Sequence, residues 1–156
     1  MSERRQRWRL GIVGAALAAG LVLAFTRPPF AQDPAYHLFA DARVIAGVPN
    51  FWNVATNLPF LLVGAFGLAR LGRLRRPDLR LEVLVFASGV ALVAFGSAFY
   101  HLAPSNASLV WDRLPMTVGF MALFSLIVRD RLQESLGRRA LWPLLGLGAA
   151  SVAYWY

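Results

Sequence analysis

Cysteine and lysine are both missing from this chain, and charge of either sign is sparse. Without cysteine there is no disulfide framework and no thiolate metal site, so a transition metal would have to be held by His and carboxylate. The redox compartment stays open. Without lysine, every one of the positive charges behind the formal net charge of +8 is an arginine. Charged residues make up 15% of the 156 positions and hydrophobic ones 58%, against about 25% charged in an average soluble domain. A bilayer is the natural solvent for such a chain. The arginines sit between apolar runs instead of forming one stripe with interleaved aromatics, which argues against a nucleic-acid partner. No internal repeat, heptad pattern or low-complexity tract is present.

The apolar runs predict an all-α, polytopic transmembrane helical bundle of about five spans in one membrane domain covering residues 1–156. The first run, 10–25, follows Arg4, Arg5, Arg7 and Arg9 and reads as a transmembrane helix or a signal peptide. No obvious Ala-x-Ala cleavage site stands directly before Arg27-Pro28-Pro29, which favours an uncleaved span. Further spans are expected at 51–69, 83–102, 109–128 and 141–156, the last only just long enough to cross and still apolar where the chain ends. Arginine is concentrated at the N-terminus, between Arg70 and Arg80, and between Arg129 and Arg139. By the positive-inside rule these segments are cytoplasmic, so the N-terminus lies inside and the loops 26–50 and 103–108 lie outside.

Polar residues at span ends carry the chemistry, because a charge at mid-bilayer costs about 2.5–3.5 kcal/mol even on insertion scales. Ser97 and His101 are four residues apart and share a helix face. After the Pro104-Ser105-Asn106 turn, whose Ser or Asn can cap the next helix, Asp112 falls about one turn inside the fourth span. So short a connection packs the two helices side by side and brings Asp112 to the depth of Ser97 and His101. Imidazole is a zinc ligand, a carboxylate can orient it or take a proton from metal-bound water, and a hydroxyl can donate to an oxyanion. The alternative is structural: Asp112 neutralising Arg113, and Ser97 bonding back to the carbonyl four residues earlier.

The segments Gly96-Ser97-Ala98-Phe99-Tyr100-His101-Leu102, Leu109-Val110-Trp111-Asp112-Arg113-Leu114-Pro115-Met116-Thr117 and Val48-Pro49-Asn50-Phe51-Trp52-Asn53-Val54-Ala55-Thr56-Asn57 resemble the alkaline ceramidase family, within a superfamily of seven-helix membrane hydrolases. The resemblance covers about Tyr36 to Arg131. It implies a seven-helix bundle with a zinc site near the outer face, where water attacks the amide of a ceramide-like N-acyl lipid to release fatty acid and sphingoid base. By position it implies His101 as a zinc ligand, Ser97 as the oxyanion or zinc-water partner and Asp112 as the residue that activates water. The family's two further histidines, spaced His-x-x-x-His, have no counterpart in a chain whose histidines are His37 and His101. The implied zinc site is therefore incomplete. Since catalytic zinc takes three protein ligands, the chain is expected to bind zinc weakly and to turn over no substrate unaided, as a C-terminally truncated frame would. The other reading is a non-catalytic membrane receptor or scaffold.

His37 and Asp41 are also four apart, in a loop segment that suggests a short interfacial helix. A structural role for His37 stands beside a part in a second ion site or at a pocket mouth. Eukaryotic members of the resembled family bind calcium in the equivalent region, but the acidic spacing differs here and Asn50 stands where Glu is expected, which argues against calcium. Asn53, Thr56 and Asn57 form a polar face at the start of the second span. Interhelical hydrogen bonding is the default for such residues, with support of Asp112 or His101 by Asn53 and Asn57 as the functional alternative. The tryptophans fall mostly near span ends, as interface anchors do.

Overall fold

The computed structural model describes residues 3–29 and 32–156. It is all-helical: α1 (Glu3–Thr26), α2 (Phe51–Ala55), α3 (Leu58–Ala69), α4 (Arg80–Leu102), α5 (Asn106–Arg131) and α6 (Glu134–Trp155), with short 3-10 turns between them. Four helical segments, Gln6–Ala24, Phe51–Ala69, Pro77–Leu102 and Asn106–Arg131, are long and apolar enough to cross a membrane. The fifth expected span behaves differently. Its helix begins at Glu134 and carries Arg138 and Arg139, so it falls outside that apolar set.

Local chemistry sets the helix ends. The Ser105 hydroxyl accepts from the Ser108 amide while the Ser108 hydroxyl accepts from the Ser105 amide, a closed capping box. Ser105, not Asn106, is thus the cap that starts α5, and it satisfies orphan amides of the first turn. The second span is broken: α2 stops at Ala55 and α3 restarts at Leu58, with Pro59 in its first turn. Proline lacks the amide that a continuous helix needs from that position, yet suits a first turn. The expected helix over 36–41 does not form. A 3-10 turn, Pro34–His37, is capped by Asp33 and ends where Leu38 turns extended, leaving Asp41 beyond it.

Close packing of α3 to α6 rests on small residues, as membrane-type interfaces do. A β-carbon at Gly64 of α3 would lie 2.5 Å from the Ala91 nitrogen of α4, and one at Gly89 of α4 would lie 2.6 Å from the Gly119 nitrogen of α5. A β-carbon at Gly137 of α6 would lie 2.5 Å from the Arg129 nitrogen of α5. The fully buried Ser125 hydroxyl donates to the Gly137 carbonyl at 2.9 Å. Helix α1 is attached at its two ends: the Gln6 amide donates to the Leu132 carbonyl at 3.1 Å, and the Tyr154 hydroxyl of α6 to the Arg27 carbonyl at 3.0 Å.

These contacts define two ends of the bundle. One gathers the start of α1, the ends of α3 and α5 and the starts of α4 and α6. Here Glu82 of α4 is 0% and Arg129 of α5 is 6% exposed, and Arg129 Nη1 donates to Glu82 Oε1 at 2.7 Å. Arg129 Nη2 also reaches Asp78 at 3.5 Å and Glu134 at 3.4 Å, joining the starts of α4 and α6 to the end of α5. The opposite end holds the residues singled out as a site.

Candidate functional site

The α4–α5 hairpin positions the three central residues. At Gly96 a β-carbon would overlap the Trp111 carbonyl oxygen, so the two backbones touch next to Ser97 and Asp112. Both of these line one cavity of about 670 Å³ between α3, α4 and α5. Ser97 is buried and Asp112 half-buried. Neither the Ser97 hydroxyl nor the Asp112 carboxylate is committed to a hydrogen bond with another described residue. Arg113 faces elsewhere: it donates to Gln32 Oε1 at 3.0 Å, and its guanidinium lies 3.7 Å from the Trp155 ring centroid. Asp112 is therefore not spent on its sequence neighbour.

His101 stands one turn beyond Ser97 on α4. Its Nδ1 is buried with no hydrogen-bond partner among the described residues, and the Phe39 ring covers it at 4.7 Å between centroids. Asn50 donates its side-chain amide to the His101 carbonyl at 2.8 Å, tying the last turn of α4 to the start of α2. Asn50 itself has φ 49°, a left-handed conformation that Asn tolerates better than most residues.

The remaining candidates are engaged in holding this end together. His37 bonds through both ring nitrogens, Nδ1 to the Tyr100 hydroxyl and Nε2 to Asn106 Oδ1, each at 3.0 Å. With Asn106 as acceptor, Nε2 carries the proton and Nδ1 accepts from Tyr100. Asn53 donates to the Asp41 carbonyl at 2.8 Å, and Asn57, 6% exposed, donates to the Asn53 carbonyl at 2.8 Å. These two side chains brace the loop and the α2–α3 break rather than Asp112 or His101, since both amides are taken by nearby carbonyls. The Asp41 carboxylate accepts from Arg43, and that hydrogen bond holds its pKa below the ordinary carboxylate value.

A zinc ion fits these residues only in part. The orphaned His101 Nδ1 offers one imidazole donor, but no group of three His, Cys, Asp or Glu residues comes together among the described residues. Catalytic zinc takes three protein ligands, so this arrangement does not complete a zinc centre.

Below Ser97 and Asp112 the cavity is apolar. Val93, Val90 and Phe86 continue the Ser97 face of α4, and Met116, Gly119 and Leu123 continue the Asp112 face of α5. Phe60 and Val63 of α3 and Phe120 of α5 line it while 46%, 63% and 62% exposed, so its flank opens toward the surface that a bilayer would cover. The i, i+3, i+4, i+7 spacing of these residues was visible in the sequence, but such stripes more often face a packed core. Only the packing of α3 beside the hairpin reveals a groove.

Fold and site together define a class: a bundle with helices of membrane-crossing length and uncommitted polar side chains at the head of an apolar groove. A family model described as ceramidase matches residues 41–156, the loop before α2 through α6. The chain belongs to the ceramidase family, whose activity is hydrolysis of the amide bond of ceramide. Comparison with curated proteins and with solved structures gave no match.

Proposed function

We propose that this chain is a membrane-embedded amidohydrolase that cleaves the N-acyl amide of a ceramide-like lipid at the head of the α4–α5 hairpin. One observation carries the reading: Ser97 and Asp112, with no hydrogen bond to another described residue, form the polar head of an otherwise apolar cavity with an open flank. An amphipathic lipid matches that polarity, and it enters sideways from the membrane with its amide at the polar end. Asp112 takes a proton from the attacking water, whose oxygen bonds to the acyl carbon. The Ser97 hydroxyl donates to the carbonyl oxygen as it becomes an oxyanion. As the carbon–nitrogen bond breaks, Asp112 returns the proton to the departing amine, giving a fatty acid and a sphingoid base.

The metal belongs to the proposal only as far as His101, whose Nδ1, without a partner among the described residues, is where zinc would be held. Bound zinc would supply Lewis acidity and a more acidic water. The family's calcium is not part of the proposal. The arginines support an orientation: of the 16 basic residues, Arg27, Arg43 and Arg113 lie at the site end, which by the positive-inside rule favours that end outside and the N-terminus in the cytoplasm.

The test is hydrolysis of ceramide in vesicles by protein expressed from its whole reading frame. Ser97→Ala lowers kcat about 10²–10³-fold with little change in KM if Ser97 serves the oxyanion. That no three metal ligands gather among the described residues favours a second reading, a non-catalytic membrane receptor or scaffold that binds lipid. Ceramide binding without product in any preparation would establish that reading instead.

A further inference from the structure

We infer that Gly119 sets the length of acyl chain the groove accepts. The inference rests on the lipid amidohydrolase reading and adds to it a residue that determines specificity. From Ser97 to Phe86 on α4, and from Asp112 to Leu123 on α5, the groove lining runs eleven residues, about 16 Å at 1.5 Å per residue. That is the reach of about a dozen carbon–carbon bonds, each advancing somewhat less than its ~1.5 Å length.

Gly119 lies seven residues below Asp112, level with Val90, which lies seven residues from Ser97. Its backbone is buried, because Gly89 packs against it with room for no β-carbon of its own. Yet a β-carbon at Gly119 would meet nothing within 4 Å. The two glycines therefore do different things. Gly89 is small so that the helices touch, whereas the missing side chain of Gly119 leaves the groove open at mid-depth. Any branched side chain there projects into the space that leads on to Phe86 and Leu123.

The tail in question is the acyl chain. Its first methylene is bonded to the carbon that must sit by Ser97 and Asp112, so the groove continues directly from the reacting carbonyl. The sphingoid tail leaves from the far side of the nitrogen.

The experiment compares wild type, Gly119→Leu and Phe86→Ala on N-hexanoyl, N-lauroyl and N-palmitoyl sphingosine in vesicles, by kcat/KM and by equilibrium binding. Gly119→Leu is expected to lower kcat/KM for the lauroyl lipid at least about tenfold relative to the hexanoyl lipid, in the range a misfit of a few atoms gives in an apolar pocket. A thermal unfolding midpoint near that of wild type shows that the variant is folded. Phe86→Ala lengthens the groove and raises palmitoyl relative to lauroyl turnover. If Gly119→Leu does not fold, Phe86→Ala alone decides. Parallel loss on all lipids by a folded Gly119→Leu, no change in either variant, or discrimination that follows sphingoid-base length would overturn the inference. If wild type hydrolyses none of the lipids, the hydrolase reading fails separately. The binding series then decides the groove: selective weakening of the lauroyl lipid by Gly119→Leu upholds it, and equal affinities refute it.

Discussion

Gly96 of α4 lies against the carbonyl of Trp111 of α5 so closely that a β-carbon would overlap that oxygen. The residues that follow each of them, Ser97 and Asp112, consequently line one cavity. Because Ala is favoured over Gly in a helix interior by about 1 kcal/mol, Gly96→Ala ought to stabilise α4 if nothing touched it. The contact reverses the sign: overpacking costs about 1–3 kcal/mol. Denaturant unfolding in mild detergent should show Gly96→Ala less stable than wild type, with hydrolysis reduced as the helices spread. A stabilised variant would show that the helices do not meet there.

The Glu82–Arg129 pair at the opposite end is buried on both sides. Removing one partner strands a buried charge, at about 3–5 kcal/mol, whereas replacing both by apolar residues can be neutral. Arg129→Met is therefore expected to be severely destabilising and Glu82→Leu with Arg129→Met largely recovered, as read by thermal unfolding. Equal loss in the single and double variants would mean that the residues contribute packing and not charge pairing.

The two histidines separate by role. His37 holds two hydrogen bonds, to Tyr100 and Asn106, each worth about 0.5–1.5 kcal/mol. His37→Ala should cost about 1–3 kcal/mol of stability and leave zinc content unchanged. His101→Ala removes a ring that packs on Phe39 and whose Nδ1 has no partner among the described residues, so it should cost stability through packing alone and should remove whatever zinc the purified protein holds. Elemental analysis beside thermal unfolding checks both, and zinc that survives His101→Ala would dissociate the metal from this imidazole.

Asp41 lies outside the apolar helices with its pKa lowered by the hydrogen bond from Arg43. A depressed folded-state pKa means that the unfolded chain takes up the proton first, so the contribution of this pair is complete above the ordinary carboxylate pKa. It disappears as the pH falls through the lower, folded value. NMR titration of Asp41 should place its midpoint below that of a free carboxylate, and Arg43→Gln should raise it. A midpoint indifferent to Arg43→Gln would remove the arginine as the cause.

The positions of the long helices were readable from hydropathy because a bilayer-spanning run declares itself by length and sparse charge. Finer features depended on single residues. The break at Thr56–Asn57 hides inside one apolar window, although Pro59 marks the restart of α3. Arg129 read as one end of a basic segment, and nothing in the sequence says that it pairs with Glu82 on another helix in the interior. That Ser97 and Asp112 come to one depth was readable because a short turn between two helices is a local constraint, whereas His101, one turn beyond Ser97, lies outside the cavity lining. Asn53 and Asn57 share that outer depth but face Asp41 and their own backbone, a direction set by the helix break. The groove was hidden for a similar reason: its α5 wall has the period of any core-facing stripe, and its opening depends on where α3 packs.

Product formation from N-acyl sphingosine by Asp112→Asn, compared with wild type in the same vesicles, tests the central claim most directly. Replacing a proton-transferring carboxylate by its amide keeps the shape and removes the base, so kcat is expected to fall about 10²–10⁴-fold while lipid binding and thermal stability hold. Undiminished release of fatty acid and sphingoid base by Asp112→Asn would contradict the account, because the α4–α5 hairpin would then not be where the amide is cleaved.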